Sequence, residues 1–433
     1  MALAERSPHR PAAIEITPSA RRLTGSLRDI GYDFVSAIAD VVDNSVAAGA
    51  TGVDVDLSFA GARSWVRIAD DGTGMSRGEL NEALRFGTRR PYEHGELGKF
   101  GLGLKTASLS QCRRLVVATR ASRQRAHIAV RALDLDHIDA FDRWEVLDLG
   151  RDSADSRLDV PLRRHPGTVV LWEQLDRVLT YSNPDGEWAR RKLRTLAGRT
   201  SEYLGMVFHR FIEGTAAGRR VRIRVNRKRV PAWNPFAPDE PATLRLPPRE
   251  VELEVGDFTA VVRFEPFVLP SRSAFSSTEE FERLSGPGKW NRQQGLYIYR
   301  SDRMIQSGGW CGYRAPDEHT KLARCALFFD GELDDLFQVN VAKMRVQLPA
   351  ELRAALEKSV TELCGTAQGA YRSDRRPPNG RDSSAAPTVF SGGEEVGVAL
   401  RMAALEAGCV SDLDQIAVVL RKRNPELASM LGW

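Results

Sequence analysis

Residues 38–46 read IADVVDNSV: an apolar helical run that carries Asp40, Asp43 and Asn44 within five positions. Short polar side chains of this kind compete with the backbone for hydrogen bonds and are poor helix-interior residues. At helical spacing Asp40 and Asn44 stand one above the other, while Asp43 lies about 300° round the helix from Asp40. Ile38, Val41, Val42 and Val46 demand a core. The Asp40/Asn44 face must then be either solvated or aimed at a ligand, and Gly49 ends the helix.

The chain of 433 residues is long enough for two or three domains with ordinary cores, and 42% hydrophobic with 27% charged residues is a globular composition. No apolar run approaches the ~20 residues of a membrane-spanning helix. MALAERSPHRPAAIEI lacks the apolar core of a signal peptide, so a cytoplasmic protein with no membrane role is expected. The five cysteines contain no CxxC pair, and neither a zinc site nor a disulfide framework is indicated. Charge is concentrated: between Gly186 and Val230 thirteen Lys or Arg stand against three Glu, a net of +10 in a chain whose total is +5. That segment is either a solvated basic face or a footprint for a polyanion such as DNA.

Residues 1–13 read as disordered. The stretch 14–50 is expected to give a short strand, a turn and a helix over about 31–48. VDVDLSF and SWVRIADD alternate like paired strands. A helix follows near 77–86, then a loop over 87–103, a helix over 104–112 and strands at 113–121, 126–149 and 167–175. Helix and strands on one sheet make residues 14–182 an α+β domain. The pattern restarts near 185 with a long helix (186–213) and RRVRIRVNRKRV, a strand with one basic face. Further strands and the helix ELRAALEKSVTELC make 183–372 a second α/β domain. Residues 373–391 have linker composition. Residues 392–433 read as a small helical module in which Ser411 and Asp414 form a start signal.

Three further motifs carry chemistry. IADDGTGMS ends a strand in Asp70, followed by Gly72, Gly74 and Met75. Two glycines let the backbone turn tightly and a flat ligand approach, a carboxylate can accept from an exocyclic amine, and Met75 offers a soft wall. GELGKFGLGLKTAS places Gly98, Gly101 and Gly103 before a helix that holds Lys105, an arrangement suited to phosphate. HPGTVVLW puts Thr168 at the head of a strand. Each alone has a bland reading: a DDG turn, a flexible loop, a structural threonine.

Their combination and order resemble the GHKL superfamily of ATPases, which includes gyrase B, large heat-shock chaperones, histidine kinases, MutL and MORC. AIADVVDNS, DDGTGMS and GKFGLGLKTAS look closest to MORC and MutL. The resemblance implies a Bergerat-type ATP-binding α/β sandwich, with ATP and Mg²⁺ as ligand and cofactor. Asn44 would ligate Mg²⁺, and Asp70 would bind the adenine amine, with Thr168 supporting through a hydroxyl or water. Gly72, Gly74 and Met75 would line the base pocket. Gly98, Gly101, Gly103 and Lys105 would form the phosphate lid, and Asp40 would take the general base's place. The family's base is usually Glu, and Asp draws the carboxylate back by roughly one C–C bond. Misplacement on that scale can cost ~10²-fold in rate, so slow hydrolysis is expected. Ala47 stands where many relatives carry Asp. FQVNVAKMRVQLP resembles the MutL segment that carries a γ-phosphate lysine, which points to Lys343 and, more weakly, Gln338 and Asn340. The second domain is transducer-like on this resemblance, and an ATP-dependent homodimer acting on DNA is the implied output. Two rivals stay open: a chaperone-like ATPase acting on proteins, and a nucleotide-gated interaction module that does not hydrolyse.

Overall fold

The computed structural model describes residues 16–29, 32–87, 103–121, 127–150, 155–181, 183–256, 258–339, 346–374 and 410–431. Residues up to 375 form one compact unit and residues 376–433 a second.

In the first unit the elements run α1 (Ala20–Arg28), α2 (Phe34–Ala47), β1 (Gly52–Ser58), β2 (Trp65–Asp70), α3 (Arg77–Leu84), α4 (Gly103–Leu109), β3 (Arg114–Arg120), β4 (Ala129–Asp134), α5 (Leu135–Phe141), β5 (Leu147–Asp148), α6 (Ser156–Arg164), β6 (Gly167–Glu173), α7 (Glu187–Val207), α8 (His209–Glu213), β7 (Arg222–Val225) and β8 (Lys228–Arg229). These strands make one eight-stranded sheet in the order β5-β4-β3-β6-β2-β1-β7-β8, antiparallel except where β7 lies parallel to β1. Val53, Val55 and Leu57 turn one face of β1 toward the core that buries Ile38, Val41, Val42 and Val46 of α2. On the opposite face Ala69, Val116, Val130, Val169 and Leu171 are covered by Leu158 and Leu162 of α6. Because both faces are covered, β3 reads as the unbroken apolar run LVVAT.

Three expectations change. The stretch 16–29 has a turn-then-helix form in place of a strand and turn. Ser19 caps α1 by accepting from Arg22 N, so the long helix starts only at Phe34, where Asp33 accepts from Val35 N and Ser36 N at 2.9 and 3.0 Å. Helices α5 and α6 replace loop and strand; α6 carries Pro161 in its interior, which masked its helical character. The boundary read at 182/183 falls inside the first sheet. β7 pairs with β1 from Gly52↔Arg222 to Val55↔Val225, and α7 packs its Leu193, Leu196 and Leu204 into the same core as α2.

The remaining strands, β9 (Leu244–Arg245), β10 (Arg249–Val255), β11 (Phe258–Val268), β12 (Gly295–Arg300), β13 (Arg303–Ser307) and β14 (Ala323–Phe329), form a second sheet in the order β10-β11-β14-β12-β13, with β9 on β11. The helix α9 (Thr278–Leu284), the short α10 (Lys289–Arg292) and the long α11 (Ala350–Asp374) belong to this half. Ser301 and Asp302 both take positive φ (46° and 68°), the geometry of a tight two-residue hairpin between β12 and β13. Tyr297, Tyr299 and Met304 of that hairpin enter the core of the first sheet. The architecture is mixed α/β, as expected. In the second unit α12 (Val410–Arg423) and α13 (Pro425–Met430) follow each other, and α12 begins one residue before the Ser411 start signal. No helix among the described residues is long and apolar enough to cross a membrane.

Candidate functional site

The site is built on α2, the end of β2, the head of β6 and the start of α4. Asp70, the last residue of β2, is half-buried. Its Oδ1 accepts from Gly72 N (3.0 Å) and Thr168 N (3.1 Å), and its Oδ2 accepts from Ser45 Oγ (2.9 Å). Burial pushes the Asp70 carboxyl above its ordinary range, opposed by these three donors. The carboxylate is thus fixed in direction by two strands and a helix.

The glycines of the DDGTGMS turn serve first the protein's own backbone. A Cβ at Gly72 would stand 2.9 Å from Ala48 O, and Thr73 N donates to that same carbonyl at 3.0 Å. Gly74 has φ +65°, and a Cβ there would lie 2.1 Å from Arg120 O. Gly167 has φ +146°, and a Cβ would lie 2.0 Å from Asp70 O. Met75 N donates to Thr119 Oγ1 at 2.8 Å, and Thr119 Oγ1 donates in turn to Gly167 O at 3.0 Å. Thr119 of β3 therefore ties the turn to β6.

On α2, Asp40 is buried at 3% exposure, whereas Asn44 one turn on is exposed. Asp40 Oδ2 accepts from Tyr32 Oη at 2.7 Å. Gly103, the first residue of α4, is so close that a Cβ there would lie 3.6 Å from Asp40 Oδ2. Asp43 points away, to Arg303 of β13 at 3.2 Å.

Asp40, Asn44, Asp70, Gly72, Gly74, Met75, Gly103 and Thr168 thus fall on neighbouring elements: α2, the end of β2 with the turn after it, the head of β6 and the start of α4. Lys105 is 1% exposed and its Nζ donates to Ala83 O at 2.8 Å, a contact that joins α4 to α3. Desolvation, opposed by Glu82, lowers its pKa to about 8. Thr168 meets Asp70 through its main-chain N–H; its hydroxyl faces Thr119 Oγ1 at 3.3 Å. Gly98, Gly101, Asn340 and Lys343 lie outside the described residues; Gln338 is exposed with φ 48°. Tyr32, Ser45 and Thr119 were missed. Ser45 sits beside Asn44 in the motif and was within reach of a sequence argument, whereas nothing in the sequence marks Tyr32 or Thr119.

Residues 32–167 match the family described as histidine kinase-, DNA gyrase B-, and HSP90-like ATPase. The DNA mismatch repair protein MutL of Klebsiella pneumoniae is 32% identical over 162 residues, 36% of this chain and 22% of that protein. MutL of Escherichia coli is 33% identical over 168 residues, 37% of the chain and 23% of the relative. The ATPase morc-1 of Caenorhabditis elegans is 33% identical over 86 residues, 20% of the chain and 10% of the relative. The matched stretch therefore spans about a fifth of the MutL proteins' length and a tenth of morc-1. Residues 32–167 thus resemble this ATPase family, with similar segments in MutL and MORC proteins.

Proposed function

We propose that the chain is a Mg²⁺-dependent ATP-binding protein and a slow ATPase of MORC/MutL type, which couples ATP binding to lid closure and dimerisation and acts on DNA. The observation that carries this reading is the Asp70 carboxylate, partly buried and locked by Gly72 N, Thr168 N and Ser45 Oγ, beside the helix that presents Asp40 and Asn44. A fixed acceptor at the end of a strand reads a donor such as the adenine amine. Gly72, Gly74 and Met75 form the wall beside it. The exposed Asn44 carboxamide offers a hard oxygen suited to Mg²⁺, which on binding would offset phosphate charge. Asp40 would orient the attacking water. Gly98, Gly101 and Gly103 would cover the phosphates, and Lys343 would reach the γ-phosphate. The transducer-like role of the second sheet is part of this proposal.

DNA is the favoured partner because the basic segment is largely at the surface. Arg191, Lys192, Arg194 and Arg199 of α7 and Arg219, Arg220, Arg222, Arg227, Lys228 and Arg229 are all exposed. Phosphate contacts dominate non-specific nucleic-acid affinity. The deciding experiment is steady-state Mg²⁺-ATP hydrolysis with and without duplex DNA, using Asn44→Ala as the blank. Turnover above the blank and stimulated by DNA is expected. ATP binding without turnover would leave a nucleotide-gated interaction module, and turnover indifferent to DNA would point to a protein client.

A further inference from the structure

We propose that Tyr32 is the positioning residue for Asp40: its buried phenol holds the carboxylate in one orientation for hydrolysis. This rests on the reading of Asp40 as the water-orienting base.

Tyr32 immediately precedes Asp33, the N-cap of α2, and is 6% exposed. Its main chain is anchored, since Gln111 Nε2 donates to Tyr32 O at 3.0 Å. Its Oη donates to Asp40 Oδ2 at 2.7 Å, two helical turns along α2. The Thr106 hydroxyl of α4 also hydrogen-bonds the phenol. Burial and then the neighbouring Asp40 charge push the phenol's pKa well up, so it stays a donor across the working pH range. With Oδ2 tied to a fixed donor, the carboxylate plane cannot rotate freely.

This contact answers the difficulty posed by a short base. Aspartate reaches less far than glutamate, and a loosely held carboxylate would add angular disorder to that deficit. A phenol aimed at the carboxylate removes the disorder and also favours the charged form. The same contact ties the base to α4. Gly103 abuts Asp40 Oδ2 and Thr106 bonds Tyr32, so α4 touches both members of the pair. A purely packing role would be served equally by phenylalanine.

The test uses the full chain as wild type, Tyr32→Phe, Thr106→Val and Asp40→Asn. It reads kcat and KM for Mg²⁺-ATP, and the Kd of a non-hydrolysable ATP analogue, from pH 5 to 9. Arg303 of β13 also interacts electrostatically with Asp40, as it does with Asp43 and with Tyr203 of α7, and no variant touches these three residues. Tyr32→Phe is expected to keep the analogue Kd within about twofold, to lose roughly tenfold in kcat and to move the acid limb of kcat to higher pH, because the carboxylate loses a donor to its charged form. Thr106→Val should move both in the same direction by less. Wild-type kcat and acid limb in Tyr32→Phe, with Asp40→Asn inactive, would overturn the proposal and leave the ATPase reading standing. Wild-type turnover in Asp40→Asn would remove the base assignment and this proposal together. If Tyr32→Phe loses analogue binding through misfolding, Thr106→Val decides: an unchanged kcat and acid limb there overturns the proposal.

Discussion

Arg303 Nε donates to Asp43 Oδ1 at 3.2 Å across 260 residues of chain, with both side chains at most 2% exposed. Arg303 also donates through Nη1 to Met304 O and lies over the Phe208 ring at 5.8 Å. Asp43 and Asp40 thus point to different neighbours from one helix: Asp40 meets Tyr32 and the start of α4, and Asp43 anchors the helix to the β12–β13 hairpin of the second sheet. Removing one member of a buried ion pair costs about 3–5 kcal/mol, whereas replacing both by apolar residues is often close to neutral. Arg303→Met is therefore expected to lose about that much stability in urea unfolding, and the double variant Asp43→Leu/Arg303→Met to recover most of it. A double variant no more stable than the single would show that the ion pair itself holds the hairpin to α2.

Asp70 pits stability against recognition. Its folded pKa is raised, so the contribution of this group is present below the ordinary carboxylate range and is lost as the pH rises through the folded value. Asparagine has no such titration. Its Oδ1 can accept from Gly72 N and Thr168 N as the carboxylate does, while Nδ2 takes the place of Oδ2 toward Ser45. Asp70→Asn should melt higher than wild type at pH 7, with the gap closing as the pH falls toward 4. The same variant should bind ATP roughly 10- to 100-fold more weakly, because an NH₂ then faces the adenine amine. A lower melting temperature at pH 7 would show that the lost carboxylate hydrogen bonds outweigh desolvation.

The candidate site was legible in outline because its residues sit in short motifs whose spacing survives folding: Asp40 with Asn44, Asp70 with its glycines, Gly103 at the start of a helix. What escaped was set by tertiary packing. Asp43 and Arg303, or Tyr32 and Thr106, meet only after the chain is folded, and no local pattern announces either pair. A lysine after glycines suggests phosphate, but no local pattern announces the contact of Lys105 with Ala83 O that the packing of α4 on α3 creates. The domain boundary was misplaced for a similar reason. β7 looks like the start of a new sheet in the sequence, but its Val221, Ile223 and Val225 complete the hydrophobic face that β1 leaves open. The basic alternation of the same strand was correctly read, yet Arg224 is paired with Asp54 at 2.6 Å, a partner 170 residues away.

The glycines of the two loops should respond oppositely to alanine. At Gly74 a methyl would need φ +65° and would stand 2.1 Å from the Arg120 carbonyl oxygen, so the turn must open. Gly74→Ala is expected to cost at least about 2 kcal/mol and to abolish nucleotide binding. At Gly103 the backbone is helical and the added Cβ meets Asp40 Oδ2 at 3.6 Å, an ordinary contact. Gly103→Ala should raise stability by about 0.5–1 kcal/mol, the usual helical gain, while lowering kcat by crowding the carboxylate. Thermal melts and ATP turnover on the two variants check both halves. Equal stability losses would mean that the start of α4 is more strained than its geometry indicates.

The outward face of α7 is where DNA affinity should reside. Arg191, Lys192 and Arg194 are exposed, and Arg191 lies over the ring of Trp188, itself 70% exposed, at 5.1 Å. Arg224 is a natural control, since Asp54 already neutralises it. Each phosphate neutralised by Lys or Arg contributes roughly 0.9 to the slope of log affinity against log salt. Replacing Arg191, Lys192 and Arg194 together by glutamine should therefore weaken duplex binding and reduce that slope by up to about 3, while Arg224→Gln should change it little. Fluorescence anisotropy on a labelled duplex across a NaCl series measures both. A triple variant with the wild-type slope would place the DNA contact elsewhere. The exposed residues Arg219, Arg220, Arg227, Lys228 and Arg229, around the β7–β8 edge, would then be the next to neutralise.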